Sequence, residues 1–142
     1  MPNHYTNVLI IFGGYDEDNE HSLSERLNAD KWGDAPFQRV LPMPDELNVK
    51  HLQGGMHPPW YTWRNEHWGV KWEAYDVQPI ARLPGDGSPT QITFCTAWGA
   101  PGEALRDVIW AELRDKYGAT AMRWIGADPY NDTIPLVGEW TT

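Results

Sequence analysis

The segment 60–72, WYTWRNEHWGVKW, constrains this chain more than any other, because it holds four of the nine Trp residues. Its apolar and basic side chains follow the i, i+3, i+4, i+7, i+8 spacing of one helical face, formed by Trp60, Trp63, Arg64, His67 and Trp68. Pro59 suits the first position of a helix, and Gly69 suits the left-handed position that ends one. The sequence therefore predicts a short helix whose rings either fill the core or line a binding site.

Apolar, β-branched runs predict the strands. Residues 5–12 read as strand one and stop at two glycines, and residues 72–82 and 91–98 flank the turn sequence PGDGSP as a hairpin of strands two and three. Residues 119–125 predict strand four, and a short last strand is expected within 127–140. The remaining helices are predicted at 22–32, with Ser22 as N-cap, and from Pro101 to Gly118. Residues 37–47, which include two prolines, are predicted to be extended and rich in turns.

This order predicts an α+β fold with a ferredoxin-like split βαβ arrangement. We expect an antiparallel sheet with helices on one face and an inserted Trp-rich helix before strand two, the insertion covering about 48–70. At 142 residues the chain is predicted to be a single ferredoxin-like domain over 1–142. The free face and edges of such a sheet also allow a homodimer.

The charge balance narrows the function classes. The net charge of −9 disfavours direct nucleic-acid binding, which requires a cationic track for phosphates. Residues 60–82 are an exception, since three acidic and three basic residues balance there. The apolar runs are too short to span a membrane, and the one cysteine forms no internal disulfide. We expect a cytoplasmic protein.

The Trp-rich segment has two interpretations. In the structural one its rings pack the helix onto the sheet, because aromatic side chains dominate small cores. In the functional one indole faces stack on a flat group while cations hold a phosphate or carboxylate. The candidate ligand-binding residues are Trp60, Trp63, Arg64, His67, Lys71, Trp72 and Trp98. A small nucleotide-type ligand fits stacking combined with positive charge.

The sequence contains little that indicates a metal site or a catalytic site. The loop that contains Asp16, Glu17, Asp18 and Glu20 lacks the glycine and the final glutamate of a calcium loop, and no zinc-ligand spacing occurs, so no metal or cofactor is expected. No nucleophile elbow, Walker loop or GxGxxG is present, so we expect a protein without catalytic activity. The same four acidic residues are the candidate protein interface of an alternative, in which an acidic surface imitates a phosphate track.

Four segments resemble a known family: MPNxxxNxLxI at 1–11, FQRVLPMPDEL at 37–47, YTWRNEHWGVKWEAYDV at 61–77 and ITFCTAWGAP at 92–101. They are similar to the ferredoxin-like domain of phage and plasmid proteins called YubB-like or Api-like. The family motif WGxKW corresponds to 68–72, and its TAW strand end corresponds to 96–98.

The resemblance implies a fold and a mobile-element setting, and it carries over no catalytic residue. Small phage and plasmid proteins often counter host defences. The expectation is therefore a phage or plasmid accessory protein that sequesters a small nucleotide-type ligand. The alternative is an acidic protein that binds and blocks a host defence protein, such as a CRISPR or restriction component.

Overall fold

The computed structural model describes residues 4–14, 21–48, 57–84, 88–127 and 135–142, and it is an α+β structure. Five strands form one sheet: β1 (His4–Gly13), β2 (Ala81–Arg82), β3 (Thr90–Ala97), β4 (Ala119–Ala127) and β5 (Leu136–Thr141). Four helices accompany them: α1 (Leu23–Ala29), α2 (Pro36–Val40), α3 (Pro59–His67) and α4 (Glu103–Tyr117). A 3₁₀ turn covers Asp45–Leu47. The predicted α+β class is thereby confirmed.

The strands lie in the order β2-β3-β1-β4-β5, and every pairing is antiparallel. The first strand is central, and its side chains alternate between two environments. Asn7, Leu9 and Ile11 are fully buried, whereas Val8 and Ile10 are half-buried. Because side chains of a strand alternate between faces, one face of the sheet carries the core.

Aromatic rings connect α3 to the middle of the sheet. Phe37 contacts Trp68 and Phe94 edge-to-face, at 5.7 Å between ring centroids in both pairs, and Phe94 contacts Trp124 at 5.9 Å. All four rings are buried. Edge-to-face pairs add about 0.5–1.5 kcal/mol beyond the burial of apolar area. Trp68 of the opening segment is therefore a core residue, as the structural interpretation expects.

The prediction of a strand over 72–82 was wrong, since β2 contains only Ala81–Arg82. The segment before it contacts β3 through an isolated bridge of Tyr75 to Cys95 and a hydrogen bond from the amide of Gln78 to the carbonyl of Thr93, without forming a continuous ladder. Asp76 has a φ of 49°, outside the extended region, and Pro79 has no N–H to donate. Trp72 consequently lies in a turn and not on a strand.

The prediction of extended chain over 37–47 was also wrong, because α2 and the 3₁₀ turn occupy much of it. Pro36 stands at the start of α2, and the carboxylate of Glu73 accepts hydrogen bonds from the amides of Phe37 and Gln38 at 2.8 Å each. This cap comes from a residue distant in sequence, so no local pattern revealed it. The predicted helix over 22–32 is shorter, because Lys31 has a φ of 54° after α1 ends.

Candidate functional site

The turn after α3 sets the position of the candidate site. Gly69 has a φ of 76°, as the sequence predicted for the residue that ends this helix. The amide of Gly102 donates to the carbonyl of Trp68 at 2.8 Å. A Cβ at Gly69 would lie only 2.4 Å from the nitrogen of Gly102. The backbone after α3 is thus held against the start of α4. This contact fixes the position from which the side chain of Lys71 extends.

Arg64 lies inside the aromatic packing. Its guanidinium carbon is 5.0 Å from the ring centroid of Trp60 and 5.1 Å from that of Trp68. Burial lowers the pKa of Arg64, and the nearby carboxylate of Glu73 opposes that change. The arginine is therefore held between two indole rings, where its charge contributes to packing.

Trp63 and His67 form a separate stack on α3. Their ring centroids are 4.2 Å apart with nearly parallel planes, and the backbone carbonyl of Trp63 lies 2.8 Å from Nδ1 of His67. The Trp63 ring also contacts Trp68 edge-to-face at 5.7 Å. Neither Trp63 nor His67, nor Trp60, lines the two hollows described next.

The first hollow, here called the Lys71 hollow, lies between the end of α3 and the end of β3 and has a volume of about 340 Å³. Of the described residues that line it, Lys71 is the single charged one. The other lining residues are Tyr61, Asn65, Gly69, Val70, Ala97, Trp98, Gly99 and Ala100. The ion pairs between described residues are His21–Glu25, Arg114–Asp115 and Arg123–Glu139, so Lys71 is not neutralised by a described carboxylate.

Trp98 presents a large ring to this hollow. Its side chain is 57% exposed, and its φ of 73° is an unusual conformation for a bulky residue. Left-handed backbone costs an L-residue about 1–2 kcal/mol, so the surrounding structure must hold it. Thr96 does so in part, since its hydroxyl donates to the carbonyl of Gly99 at 2.6 Å.

A buried polar network supports this turn. Asn7, fully buried on β1, donates to the hydroxyl of Thr96 at 2.9 Å and accepts from the indole N–H of Trp124 at 3.0 Å. Buried polar groups are costly unless they are paired. The network therefore ties the turn that carries Trp98 to the centre of the sheet.

The second hollow, here called the Trp72 hollow, has a volume of about 360 Å³ and is lined by His4, Arg64, Trp72, Glu73, Ala74 and Tyr75. Trp72 is 36% exposed and contacts Tyr75 edge-to-face at 6.3 Å. Burial raises the pKa of Tyr75, and Nδ1 of His4 lies 2.5 Å from its hydroxyl.

The two hollows adjoin at two places. Nζ of Lys71, which lines the first hollow, lies 4.6 Å from the ring centroid of Trp72, which lines the second. His4 of the second hollow is also the ladder partner of Ala97 in the first. The predicted single cluster is therefore divided. Lys71 and Trp98 line one hollow, and Arg64 and Trp72 line the other.

Glu73 is the one acidic residue that lines either hollow. Its carboxylate accepts from three amides, those of Phe37, Gln38 and Ala74, at 2.8, 2.8 and 3.0 Å. Burial raises the pKa of Glu73, and these hydrogen bonds together with Arg64 act in the opposite direction. Because its oxygens point to the amides of α2, Glu73 has a structural partner already.

A third hollow, of about 300 Å³, lies between α1 and the segment before β2. It contains both Lys31 and Asp34, so its two charges offset each other. The Lys71 hollow is the better candidate for an anion, because no carboxylate of the described ranges lines it or pairs with Lys71.

Other sequence predictions fall elsewhere. The acidic residues Asp16, Glu17, Asp18 and Glu20 lie outside the described residues. Within the described ranges, no group of three His, Cys, Asp or Glu side chains is placed to hold a metal ion. None of the helices described here is long and apolar enough to cross a membrane.

The sequence analysis missed Asn7, Thr96, Tyr61 and Asn65. A signal for Asn7 was available, because a polar residue in the middle of an apolar strand requires a buried partner. Nothing local indicated that its partners would be Thr96 and the indole of Trp124, since these residues are far apart in the chain.

Comparison with known proteins gives one similar structure. No protein-family model matches the chain, and no curated protein matches it. A crystal structure of protein api92 from Yersinia pseudotuberculosis, described with the family DUF1281, is similar with a TM-score of 0.46 and 16% sequence identity. The similarity covers 75% of this chain and 39% of that one, so this chain matches well under half the length of its neighbour.

Proposed function

We propose that this protein is a non-enzymatic binding protein whose Lys71 hollow holds a flat, negatively charged group of a small nucleotide-type ligand. The observation that supports this best is that one hollow holds both the ammonium of Lys71, which no described carboxylate neutralises, and the exposed indole of Trp98, whose backbone has a positive φ. An indole offers a stacking surface to any base, and an ammonium attracts phosphate.

The magnitudes favour a ligand with two flat groups. Stacking on one ring contributes about 1–3 kcal/mol, and a hydrogen bond to a charged group about 1.5–3 kcal/mol. One base and one phosphate therefore give weak binding, because micromolar affinity requires about 8 kcal/mol. The adjoining Trp72 hollow offers a second aromatic surface, with Lys71 between the two. We propose a dinucleotide, linear or cyclic, as the ligand class that uses both.

The remaining residues of the predicted set receive different roles in this proposal. Arg64 holds the rings of Trp60 and Trp68 in place. It lines the Trp72 hollow and does not line the Lys71 hollow. The Trp63–His67 stack stiffens α3. The ligand itself contacts Lys71, Trp72 and Trp98.

We also propose the finer fold and setting. The strand order β2-β3-β1-β4 with antiparallel pairing is consistent with a ferredoxin-like split βαβ sheet, with β5 added at the edge of β4. The family resemblance supports a single such domain, in a YubB-like or Api-like protein of a phage or plasmid. Sequestering a nucleotide signal in the host cytoplasm is a counter-defence role consistent with that setting.

The test is a binding titration of mononucleotides, linear dinucleotides and cyclic dinucleotides against the purified protein, by calorimetry and by shift of Tm. A ligand of the native state raises Tm by mass action. We expect dinucleotides to bind at least tenfold more tightly than mononucleotides. Absence of binding by every nucleotide would refute the proposal.

Two variants and one matched control locate the site. Lys71→Ala and Trp98→Ala should each reduce affinity at least tenfold, with the far-ultraviolet circular dichroism unchanged. Lys116→Ala removes the same charge from an exposed residue of α4, where Nζ lies 5.7 Å from the ring centroid of Tyr117. It should bind as the wild type does. Equal losses in Lys71→Ala and Lys116→Ala would indicate general electrostatics and not a site.

The alternative is the acidic protein that blocks a host defence protein, and the net charge of −9 is the observation that favours it. It predicts a salt-sensitive partner from host extract, lost when Asp16, Glu17 and Asp18 are replaced by the corresponding amides. Such a partner, together with no nucleotide binding, would select this alternative.

A further inference from the structure

The sheet has a second face, opposite the core, and among the described residues it carries a stripe of apolar side chains on β1, β4 and β5. We define the open sheet face by Val8, Ile10, Phe12, Ile125 and Leu136. The strand register places them on one side, since Val8 pairs with Ile125, and Ile125 with Leu136. Phe12 is 36% exposed and Leu136 is 54% exposed. In the described part of the chain, none of the five belongs to the hydrophobic core or packs against it.

The charges on this face are arranged for self-association. Arg123 and Glu139 face each other across β4 and β5 and form an ion pair at 2.9 Å. Both are on the open side, because Arg123 is the partner of Ile10 in the ladder. These two side chains, one cation and one anion, offset each other in a chain whose net charge is −9.

The surface around the ion pair is also shaped for packing. Two hollows lie beside it, one bordered by Phe12 and Trp140 and the other by Ile125 and Leu136. The exposed side chains of Phe12 and Leu136 can therefore insert into hollows of an identical face. Large exposed apolar patches of this kind mark interaction sites.

We infer that the open sheet face is the interface of a homodimer in which two copies pack sheet against sheet. A two-fold interface requires a patch that complements itself, and a neutral patch with one Arg and one Glu does so, because each Arg123 meets the Glu139 of the other copy. This inference is independent of the proposed nucleotide site.

The dimer should be weak. Four strands of about eight residues, at about 3.3 Å per residue and about 4.8 Å between strands, present roughly 500 Å². A standard stable interface buries about 800 Å² on each partner. We therefore expect a monomer–dimer equilibrium with a dissociation constant in the micromolar range or above.

Sedimentation equilibrium over a wide concentration range tests this directly. We expect the wild type to change from monomer to dimer with concentration, and Leu136→Asp and Phe12→Asp to remain monomeric. Thr62→Asp adds the same charge at an exposed position of α3 and should dimerise as the wild type does. A wild type that is monomeric at every concentration would overturn the inference, and the face would then be a candidate site for another protein.

Charge reversal gives a sharper test that does not depend on apolar contacts. Arg123→Glu and Glu139→Arg should each be monomeric, while an equimolar mixture of the two should form the mixed dimer. The loss of an exposed ion pair has little effect on folding, which circular dichroism can verify. A dimer that forms equally well in either single variant would place the interface elsewhere.

The thiol of Cys95 provides a second readout on the same face. It is half-buried opposite Thr6 of β1, and the chain has no other cysteine. Its alkylation should slow as the wild-type concentration rises, and it should not slow for Leu136→Asp. A rate that is independent of concentration, in a sample shown to dimerise, would contradict packing through this face.

Discussion

Gly69→Ala should be among the most destabilising single-methyl additions in this protein, and the structure separates two reasons for it. The φ of 76° costs an L-residue about 1–2 kcal/mol. In addition, the new Cβ would lie 2.4 Å from the nitrogen and 2.7 Å from the Cα of Gly102, and backbone cannot rotate away as a side chain can. Separating the two segments also breaks the 2.8 Å hydrogen bond from Gly102 to Trp68, worth about 1 kcal/mol. The expected loss in the free energy of unfolding is about 3 kcal/mol or more.

Two other glycines serve as controls, because each isolates one of these terms. Gly118 has a φ of 78°, but a Cβ there would meet its nearest atom at 3.9 Å, so Gly118→Ala should cost only the conformational term of about 1–2 kcal/mol. At Gly99 a Cβ would meet nothing within 4 Å and φ lies outside the left-handed region, so Gly99→Ala should change stability by less than about 0.5 kcal/mol.

Urea denaturation of the wild type and the three variants, followed by circular dichroism, measures all four free energies under one set of conditions. The expected order of destabilisation is Gly69→Ala, then Gly118→Ala, then Gly99→Ala. If Gly69→Ala costs no more than Gly118→Ala, the close approach of Gly69 to Gly102 is not a constraint. The argument that this contact positions Lys71 would then fail.

Two further predictions concern buried polar groups. Asn7→Leu leaves the indole N–H of Trp124 without its acceptor, so we expect a loss of about 1–3 kcal/mol in urea denaturation. Thr6→Val, on the adjacent position of β1, should cost less than about 0.5 kcal/mol, and an equal loss in both variants would refute the role of the network. Burial raises the pKa of Glu73, so the folded state binds this proton more tightly than the unfolded state does. Its contribution to stability therefore falls as pH rises past the usual pKa of a glutamate. When the free energy of unfolding is measured across pH, Glu73→Gln should remove the part of the pH dependence that comes from this carboxyl. An unchanged slope would show that the three amide hydrogen bonds offset the effect of burial.

Much of the fold was predictable because its signals are local. The helix α3 begins at Pro59 and Gly69 adopts positive φ, as the proline, the Trp spacing and the glycine indicated. Strands β1, β3 and β4 are apolar runs bounded by turn residues, and the structure confirms them. The failures at 37–47 and 72–82 have different causes, and neither is visible in the local sequence. Glu73 caps α2 from a segment distant in the chain, whereas the positive φ of Asp76 interrupts the extended chain before β2.

The candidate site shows the same division. The sequence by itself determined which residue types were available, namely a concentration of indole rings next to Arg64 and Lys71 in an otherwise acidic chain. The spacing of the Trp residues along the chain could not show which rings would be buried, because the burial of a ring depends on which distant segments pack against it. Only the tertiary structure put Trp68 in the core and Arg64 between two rings, while it left Lys71 and Trp98 facing one hollow. The physical reason is that the turn of Trp98 is held by Asn7 and Thr96, whose contacts exist only once the strands have paired.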